Sequence, residues 1–144
     1  DFGISKKIEG TISSSALKGT YMYIAPEIIN GHKHDLTVDI YSLGIVLYRL
    51  LNQNRIPFMP KYPKEITQSD IREAVQKRFS EKYIEGPQYA DDMLSQIILK
   101  ACSFNPKYRY RSAMDFKKSL SNYLQNLKFN QRSKIVLNLR DNKK

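Results

Sequence analysis

The chain has 144 residues, of which 41% are hydrophobic and 26% are charged, as in an ordinary globular protein of one domain. Its net charge of +10 leaves open a nucleic acid, an anionic membrane surface or a phosphate-bearing substrate as partner. The single cysteine, Cys102, excludes an internal disulfide and fits a reducing compartment such as the cytoplasm. The sequence has no signal peptide and no apolar run of about 18 residues, so it contains no predicted membrane span.

The first 24 residues are predicted to form a loop. They contain three glycines and a polar run of Thr and Ser between residues 11 and 15, with no sustained hydrophobic period. Pro26 suits the first position of a short helix from Pro26 to Asn30, and Gly31 suits its end. Because the chain begins with Asp rather than Met, we expect a fragment of a longer protein.

Residues 37–51 are predicted to form the central helix of the domain. Their apolar side chains cover nearly the whole circumference at 100° per residue, which indicates a helix buried on all sides. Thr37 is the expected N-cap, and Asp39 lies in the first turn, where the helix dipole favours a carboxylate. A carboxylate entering a core needs a polar partner, so Asp39 requires an explanation.

Further helices are predicted downstream, which makes the chain mainly α. Three prolines exclude a regular helix from residues 52–66. Capping-box patterns at Thr67–Asp70 and Ser112–Asp115 predict that one helix begins at each of them. Between them, a wide apolar face predicts a helix that begins near Ala90. The last of these is predicted to end near residue 127.

The end of the chain, residues 128–144, is predicted to be a basic tail. Residues 127–144 hold six basic side chains and one acidic side chain, Asp141, a net of +5 and half of the total charge. A charge run of this kind is typically solvated, so no specific nucleic-acid partner is predicted. The pattern leaves a short strand at 135–139 or a disordered tail open.

Five short motifs, taken in order, resemble the protein kinase family. Asp1-Phe2-Gly3 is followed after 15 residues by the element Gly19-Thr20-Tyr-Met-Tyr-Ile-Ala-Pro-Glu27, as in an activation segment that runs from DFG to APE. Asp39-Ile-Tyr-Ser-Leu-Gly44 resembles the start of the family's central helix. Ile56-Pro-Phe58 and the Pro106-to-Ala113 element resemble later blocks. The residues of these motifs most resemble those of bacterial serine/threonine kinases of the eukaryote-like type.

The resemblance implies a fold and a domain division. It implies a truncated C-terminal lobe of the α+β kinase fold, organised around the central helix 37–51. Residues 1–127 would be the C-terminal part of a kinase domain, with an activation segment at 1–27 and a helical subdomain at 28–127. Without the helices that pack on it in the family, the central helix should leave apolar surface bare and the isolated chain should be poorly soluble.

The resemblance also implies an activity and its cofactors. The full-length protein would transfer the γ-phosphoryl group of ATP to Ser or Thr of protein substrates, with Asp1 as ligand of the Mg²⁺ ion. Phe2 and Gly3 would set the position of Asp1 beside the nucleotide. Gly19 and Thr20 would form the strip that receives the substrate, and Thr20 favours a Ser/Thr acceptor.

Three residues would have structural roles by the same resemblance. Glu27 and Arg109, which lie 82 positions apart, would form a buried ion pair that joins the segment to the helical subdomain. Asp39 would hydrogen-bond the backbone of a catalytic loop that precedes Asp1 in the family. The upstream lobe and catalytic loop of the same protein are therefore expected partners.

The Ser/Thr run of the loop contains the candidate phosphorylation sites Thr11, Ser13, Ser14 and Ser15. A phosphate would add about −1.5 to −2 charges and could order the loop against basic side chains. A Ser/Thr-rich loop that is never modified stays open as the alternative.

The sequence departs from the family by lacking the Gly-rich loop, the lysine strand and the catalytic loop. We therefore expect these 144 residues alone to be inactive. A pseudokinase or a non-catalytic helical docking module stays open as a second reading. His32 and His34, without a third ligand nearby, are more typical of a solvated turn than of a metal site.

Overall fold

The structure, a computed structural model, describes residues 21–80 and 82–143. Within these ranges the chain forms α-helices, one 3₁₀ turn and connecting loops, and no strand, so the predicted mainly α class is confirmed. The helices are α1 (Pro26–Ile29), α2 (Thr37–Leu50), α3 (Gln68–Ser80), α4 (Asp92–Ala101) and α5 (Ala113–Asp141), with the 3₁₀ turn at Pro106–Tyr108. None of the described helices is both long and apolar enough to cross a membrane.

The short helix α1 has the predicted ends. Pro26 occupies its first position after an extended Ala25, where the missing N–H costs no hydrogen bond. Asn30 follows its last residue, and Gly31 leaves the helix at a φ of 70°, a conformation that side chains with a Cβ rarely adopt. The turn directs the chain from the buried Glu27 toward the start of α2.

The start of α2 differs from the prediction, because Thr37 is its first residue and not its N-cap. Asp35 supplies the capping group: its Oδ1 accepts from the Thr37 backbone N–H at 2.8 Å and from the Thr37 hydroxyl at 2.5 Å. These hydrogen bonds hold the pKa of the Asp35 carboxyl below its usual value, so the cap is charged at neutral pH. The helix therefore starts earlier than a Thr37 N-cap would allow, because the aspartate two residues upstream binds the Thr37 N–H and hydroxyl.

The other predicted helix starts are present. The Asp70 carboxylate accepts from the Thr67 N–H at 2.9 Å, and the Thr67 hydroxyl accepts from the Asp70 N–H at 3.1 Å. This is the geometry of a capping box. The Ser112 hydroxyl accepts from the Asp115 N–H at 3.1 Å. The fourth helix begins at Asp92 and not at Ala90, because the Asp91 carboxylate accepts from the Leu94 N–H and fixes the start there.

The last helix is longer than predicted, and neither a strand nor disorder is found at 135–139. Helix α5 continues through residues 128–141 to Asp141, a total of 29 residues. The apolar residues from Phe129 to Leu139 follow no single stripe and remain exposed, so their spacing carried no helical signal. The division between a kinase part and a basic tail at residue 127 stays a prediction.

The central helix α2 packs on α4 through a glycine. A Cβ built on Gly44 would lie 2.6 Å from the Cys102 Sγ and 3.0 Å from the Ala101 Cβ, closer than real Cβ contacts. The absence of a side chain at residue 44 therefore allows the two helices their close approach. Helix α4 in turn packs on α5, and α1 packs on α3.

The central helix is buried on one side only. Ile40, Tyr41, Ile45 and Tyr48 face the core, whereas four apolar side chains remain in solvent along the opposite side. We call these four the exposed stripe: Leu36 (81% exposed), Leu43 (47%), Val46 (38%) and Leu50 (67%). The prediction of a helix buried all round is wrong for the described chain, and the expected bare apolar surface is this stripe.

Candidate functional site

Most of the predicted catalytic and regulatory residues lie outside the described part of the chain. These are Asp1, Phe2, Gly3, Gly19 and Thr20, together with the candidate phosphorylation sites Thr11, Ser13, Ser14 and Ser15. The described part of the predicted activation segment begins at Tyr21 and runs into α1. Its geometry shows how the helices hold the residues that follow the predicted substrate strip.

Glu27 and Arg109 are in direct contact, as the sequence predicted. Arg109 Nη1 lies 2.5 Å from Glu27 Oε1 and Nη2 lies 2.8 Å from Oε2, a bidentate ion pair. The Arg109 side chain is fully buried and the Glu27 side chain almost so. Two parallel charge-assisted hydrogen bonds fix the distance and the plane of the pair.

The remaining donors of Arg109 bind backbone carbonyls. Its Nε donates to the Ser103 carbonyl at 2.8 Å, and longer bonds of 3.3 Å reach the carbonyls of Thr37 and Phe104. One guanidinium therefore connects α1, the start of α2 and the loop after α4. Because every donor group has an acceptor, the desolvation cost of burying the charge is offset locally.

Arg78 on α3 is a second buried arginine, which none of the five sequence motifs contains. Its Nη1 donates to the Ile24 carbonyl at 2.6 Å and to the Tyr41 hydroxyl at 3.0 Å. Its Nη2 donates to the Tyr21 carbonyl at 2.7 Å. The signal was its position three residues after Val75 and four after Ala74, on the apolar stripe of α3. An arginine at such a position should have been assigned a buried partner.

The segment Tyr21–Ile24, here called the anchored segment, is also held by α2. The Ser42 hydroxyl donates to the Tyr23 carbonyl at 2.7 Å, and Arg49 donates to the Tyr23 hydroxyl. The carbonyls of Tyr21, Tyr23 and Ile24 therefore all accept from side chains of two helices. These hydrogen bonds fix the backbone of the anchored segment, which forms a turn before α1 and belongs to no helix.

Tyr41 lies between the two buried arginines. The Arg109 guanidinium carbon is 4.7 Å from the centroid of its ring and that of Arg78 is 5.5 Å away. Burial raises the pKa of the Tyr41 hydroxyl, while the nearby Arg78 acts in the opposite direction, so the phenol is neutral at physiological pH. A neutral ring in contact with two cations is the arrangement of a cation–π pair, and it links the two arginine sites.

Cys102 is a core residue. Its side chain is buried against the central helix, and burial raises the pKa of the thiol to about 12. A thiol that stays protonated at neutral pH is a poor nucleophile. The structure therefore gives Cys102 a packing role opposite Gly44.

Asp39 does not enter the core, contrary to the prediction that its carboxylate is buried. It is exposed and lies on the same side of α2 as the exposed stripe, between Leu36 and Leu43 in sequence. Its carboxylate has no hydrogen-bond partner among the described residues. Its predicted contact with a catalytic loop stays a prediction.

A cavity of about 820 Å³ opens beside the ion pair, between the end of α1 and the loop after α4. Glu27, His32 and Cys102 are among the residues that line it. Between residues 21 and 143, Glu81 apart, no three or more His, Cys, Asp or Glu side chains are grouped closely enough to bind a metal ion.

The architecture defines a class of protein. A central helix carries further helices on one side, and a buried Glu–Arg pair fixes the Ala-Pro-Glu element before it; this is the C-terminal lobe of a protein kinase fold. The family model of the protein kinase domain matches residues 1–120. The chain belongs to the protein kinase family.

Curated relatives agree with this family. The chain is 53% identical over 51 residues to "Protein kinase 2" of Dictyostelium discoideum. The matched stretch covers 35% of this chain and 11% of that protein. The chain is 32% identical over 126 residues to "Serine/threonine-protein kinase PknB" of Mycolicibacterium smegmatis, covering 83% of this chain and 19% of that protein. It is also 32% identical over 126 residues to "Tyrosine-protein kinase MasK" of Myxococcus xanthus, covering 86% of this chain and 19% of that protein.

The chain spans less than a fifth of the length of each of these three relatives. They come from bacteria and from a eukaryote, so the expected bacterial origin stays a prediction. The relatives are named kinases of both serine/threonine and tyrosine type, with the serine/threonine type in the majority of those compared.

Proposed function

We propose that the chain is the C-terminal part of a protein kinase that transfers the γ-phosphoryl group of ATP to Ser or Thr of protein substrates. The observation that carries the proposal is the buried bidentate Glu27–Arg109 pair, which fixes the end of the activation segment on the helical lobe. Phosphoryl transfer depends on positioning and on neutralising charge more than on covalent help from the protein. A segment anchored this rigidly meets the positioning requirement.

Asp1 is the proposed ligand of Mg²⁺. A carboxylate is the hard oxygen donor that this ion prefers, and the ion would neutralise charge on the ATP phosphates when bound. Phe2 and Gly3 set the position of Asp1 in this proposal. The remaining ligands and the phosphate-binding groups come from the part of the protein that precedes Asp1.

A Ser/Thr acceptor is proposed because of Thr20, which with Gly19 forms the substrate strip. The Gly-Thr sequence at this position resembles that of serine/threonine kinases. The names of most of the compared relatives support the same acceptor, although one is a named tyrosine kinase. We further propose phosphorylation of at least one of Thr11, Ser13, Ser14 and Ser15 as an activating step.

The exposed stripe is the proposed contact surface for the upstream part of the same protein. Four apolar side chains along one side of α2, with the Asp39 carboxylate among them, fit a partner that brings apolar side chains and free backbone N–H groups. A catalytic loop with its preceding helix has both. In the absence of those residues, we expect this chain alone to transfer no phosphate.

The test is a phosphotransfer assay on the full-length protein with Mg²⁺, labelled ATP and a protein substrate. We expect transfer to Ser or Thr, and we expect Asp1→Asn to lower the rate by about 100-fold or more, because it removes the metal ligand. Asp141→Asn at the exposed end of α5 is the matched control and should retain the wild-type rate.

Two outcomes would contradict the proposal in different ways. Unchanged activity in Asp1→Asn would show that Asp1 is not the metal ligand. A folded full-length protein that transfers no phosphate to any substrate, itself included, would favour the second candidate, a non-catalytic pseudokinase or docking module. The exposed stripe is the observation that supports this candidate, since it suits a protein partner as well as an upstream lobe.

A further inference from the structure

We infer that Arg78 is a positioning residue for protein substrate: by holding the anchored segment it sets the affinity for the acceptor protein without affecting that for ATP. This inference rests on the proposed kinase function and extends it to a residue of α3 that none of the five motifs contains.

The contacts of Arg78 point to the segment beside the substrate strip. Its guanidinium donates to the Tyr21 carbonyl at 2.7 Å and to the Ile24 carbonyl at 2.6 Å, across the whole length of the anchored segment. Tyr21 directly follows the strip residue Thr20 in sequence. A shift of the Tyr21 carbonyl is therefore transmitted to the neighbouring strip residue, Thr20, through the backbone of a single residue, Tyr21.

Among the residues that the structure describes, no carboxylate forms an ion pair with the buried Arg78. The residue is 1% exposed, and its acceptors among the described residues are the two carbonyls and the neutral Tyr41 hydroxyl. Its Nε has no acceptor there. Burying a guanidinium without an ion pair costs several kcal/mol of desolvation, and an apolar side chain of similar volume would avoid that cost. Stability alone is a poor explanation for an arginine at this position.

The geometry explains why the guanidinium is suited to this task. A planar fork of N–H groups can bind two carbonyls and one hydroxyl at once in fixed directions. The rings of Tyr41 and Phe79 lie 5.5 and 4.9 Å from its central carbon and restrict its movement. A lysine has one ammonium group and would not hold both carbonyls in the same directions.

A purely structural role makes a different kinetic prediction from a positioning role. If Arg78 only stabilised the fold, its loss would lower the melting temperature and the fraction of active enzyme, while the KM of the remaining folded molecules stayed unchanged. If it positions the strip, the KM for the protein substrate rises and the KM for ATP does not. A displacement of about 1 Å at a substrate-positioning group can cost about 100-fold.

The experiment uses the full-length protein with Arg78→Met, Arg78→Lys and the control Arg72→Met, which alters an exposed arginine on the same helix. Substrate and ATP dependence are measured well below the melting temperature and are normalised to the titrated ATP-binding sites. We expect Arg78→Met to raise the substrate KM by about 10-fold or more, Arg78→Lys to raise it less, and the ATP KM and the control to stay within about two-fold of wild type.

An unchanged substrate KM in both Arg78 variants, with an active wild type, would overturn this inference and leave the proposed function intact. If Arg78→Met fails to fold, Arg78→Lys keeps the charge and decides the question by the same KM comparison. A wild type that binds ATP but phosphorylates nothing would overturn the proposed function and this inference together.

Discussion

At the scale of the residue, the Glu27–Arg109 contact could be predicted and the Arg78 contacts could not. Glu27 and Arg109 each lie in a motif that resembles the kinase family, and that resemblance implied their pairing. Arg78 lies in no such motif, and its acceptors are backbone carbonyls of residues more than 50 positions away. Backbone acceptors carry no residue-type signal, so only the three-dimensional packing of α3 on the anchored segment identifies them.

The burial of the ion pair predicts a large effect of removing one partner. Arg109→Met leaves the Glu27 carboxylate buried without its partner, so the free energy of unfolding should fall by about 3–5 kcal/mol. Urea unfolding followed by circular dichroism measures this. Arg111→Met, which alters an exposed arginine two residues away, is the matched control and should change stability by no more than about 0.5 kcal/mol.

Equal stabilities of the Arg109 and Arg111 variants would show that the pair is not formed in solution. A second check is the double variant Glu27→Gln with Arg109→Met, which removes both charges. It should be more stable than Arg109→Met alone, because no uncompensated carboxylate remains in the core.

At the scale of the element, helix starts could be predicted more reliably than the helix end at residue 141. Capping patterns are local in sequence: the box at Thr67 has both of its hydrogen bonds, and at Ser112 the hydroxyl caps the Asp115 N–H as expected. At α2 the local rule failed, because Asp35 and Thr37 both offer a capping oxygen and the sequence alone does not rank them. Beyond residue 127 the apolar side chains of α5 have no core to face, so no period marked them as helical.

The close approach of α2 and α4 predicts that Gly44→Ala destabilises the fold. An added Cβ would meet the Cys102 Sγ at 2.6 Å, so the helices must separate. Such overpacking typically costs about 1–3 kcal/mol, while alanine recovers about 1 kcal/mol through its helix propensity. We expect a net loss of up to about 2 kcal/mol in the free energy of unfolding, measured by thermal or urea denaturation.

Cys102→Ala in the Gly44→Ala background provides the specific test of this contact. Removing the Sγ relieves the closest approach, so the double variant should recover part of the loss relative to the sum of the single changes. Strictly additive effects of the two substitutions would contradict a direct contact between residues 44 and 102.

At the scale of the whole molecule, the sequence predicted a mainly α lobe around one helix but not which side of that helix is covered. Apolar residues all around α2 indicated burial on every side, whereas the described residues cover only the side that carries Tyr41 and Ile45. The exposed stripe lies on the other side, and we propose that the upstream part of the protein covers it. The pattern of apolar residues on a helix indicates which of its sides are buried in the whole protein. It does not indicate which part of the protein covers each side.

The central claim is that the exposed stripe is covered by the upstream part of the same protein. The most direct measurement is the rate of thiol labelling near pH 8 of Leu43→Cys, with Gln125→Cys on exposed α5 as the reference site. The native Cys102 should remain silent, because burial raises the pKa of its thiol to about 12.

In this chain alone, we expect Leu43→Cys to react within a few-fold of the reference, since the side chain at residue 43 is 47% exposed. In the full-length protein we expect it to react about 100-fold more slowly than the reference, because labelling then requires the covering element to open. Equal rates at residue 43 in the two proteins would contradict the account.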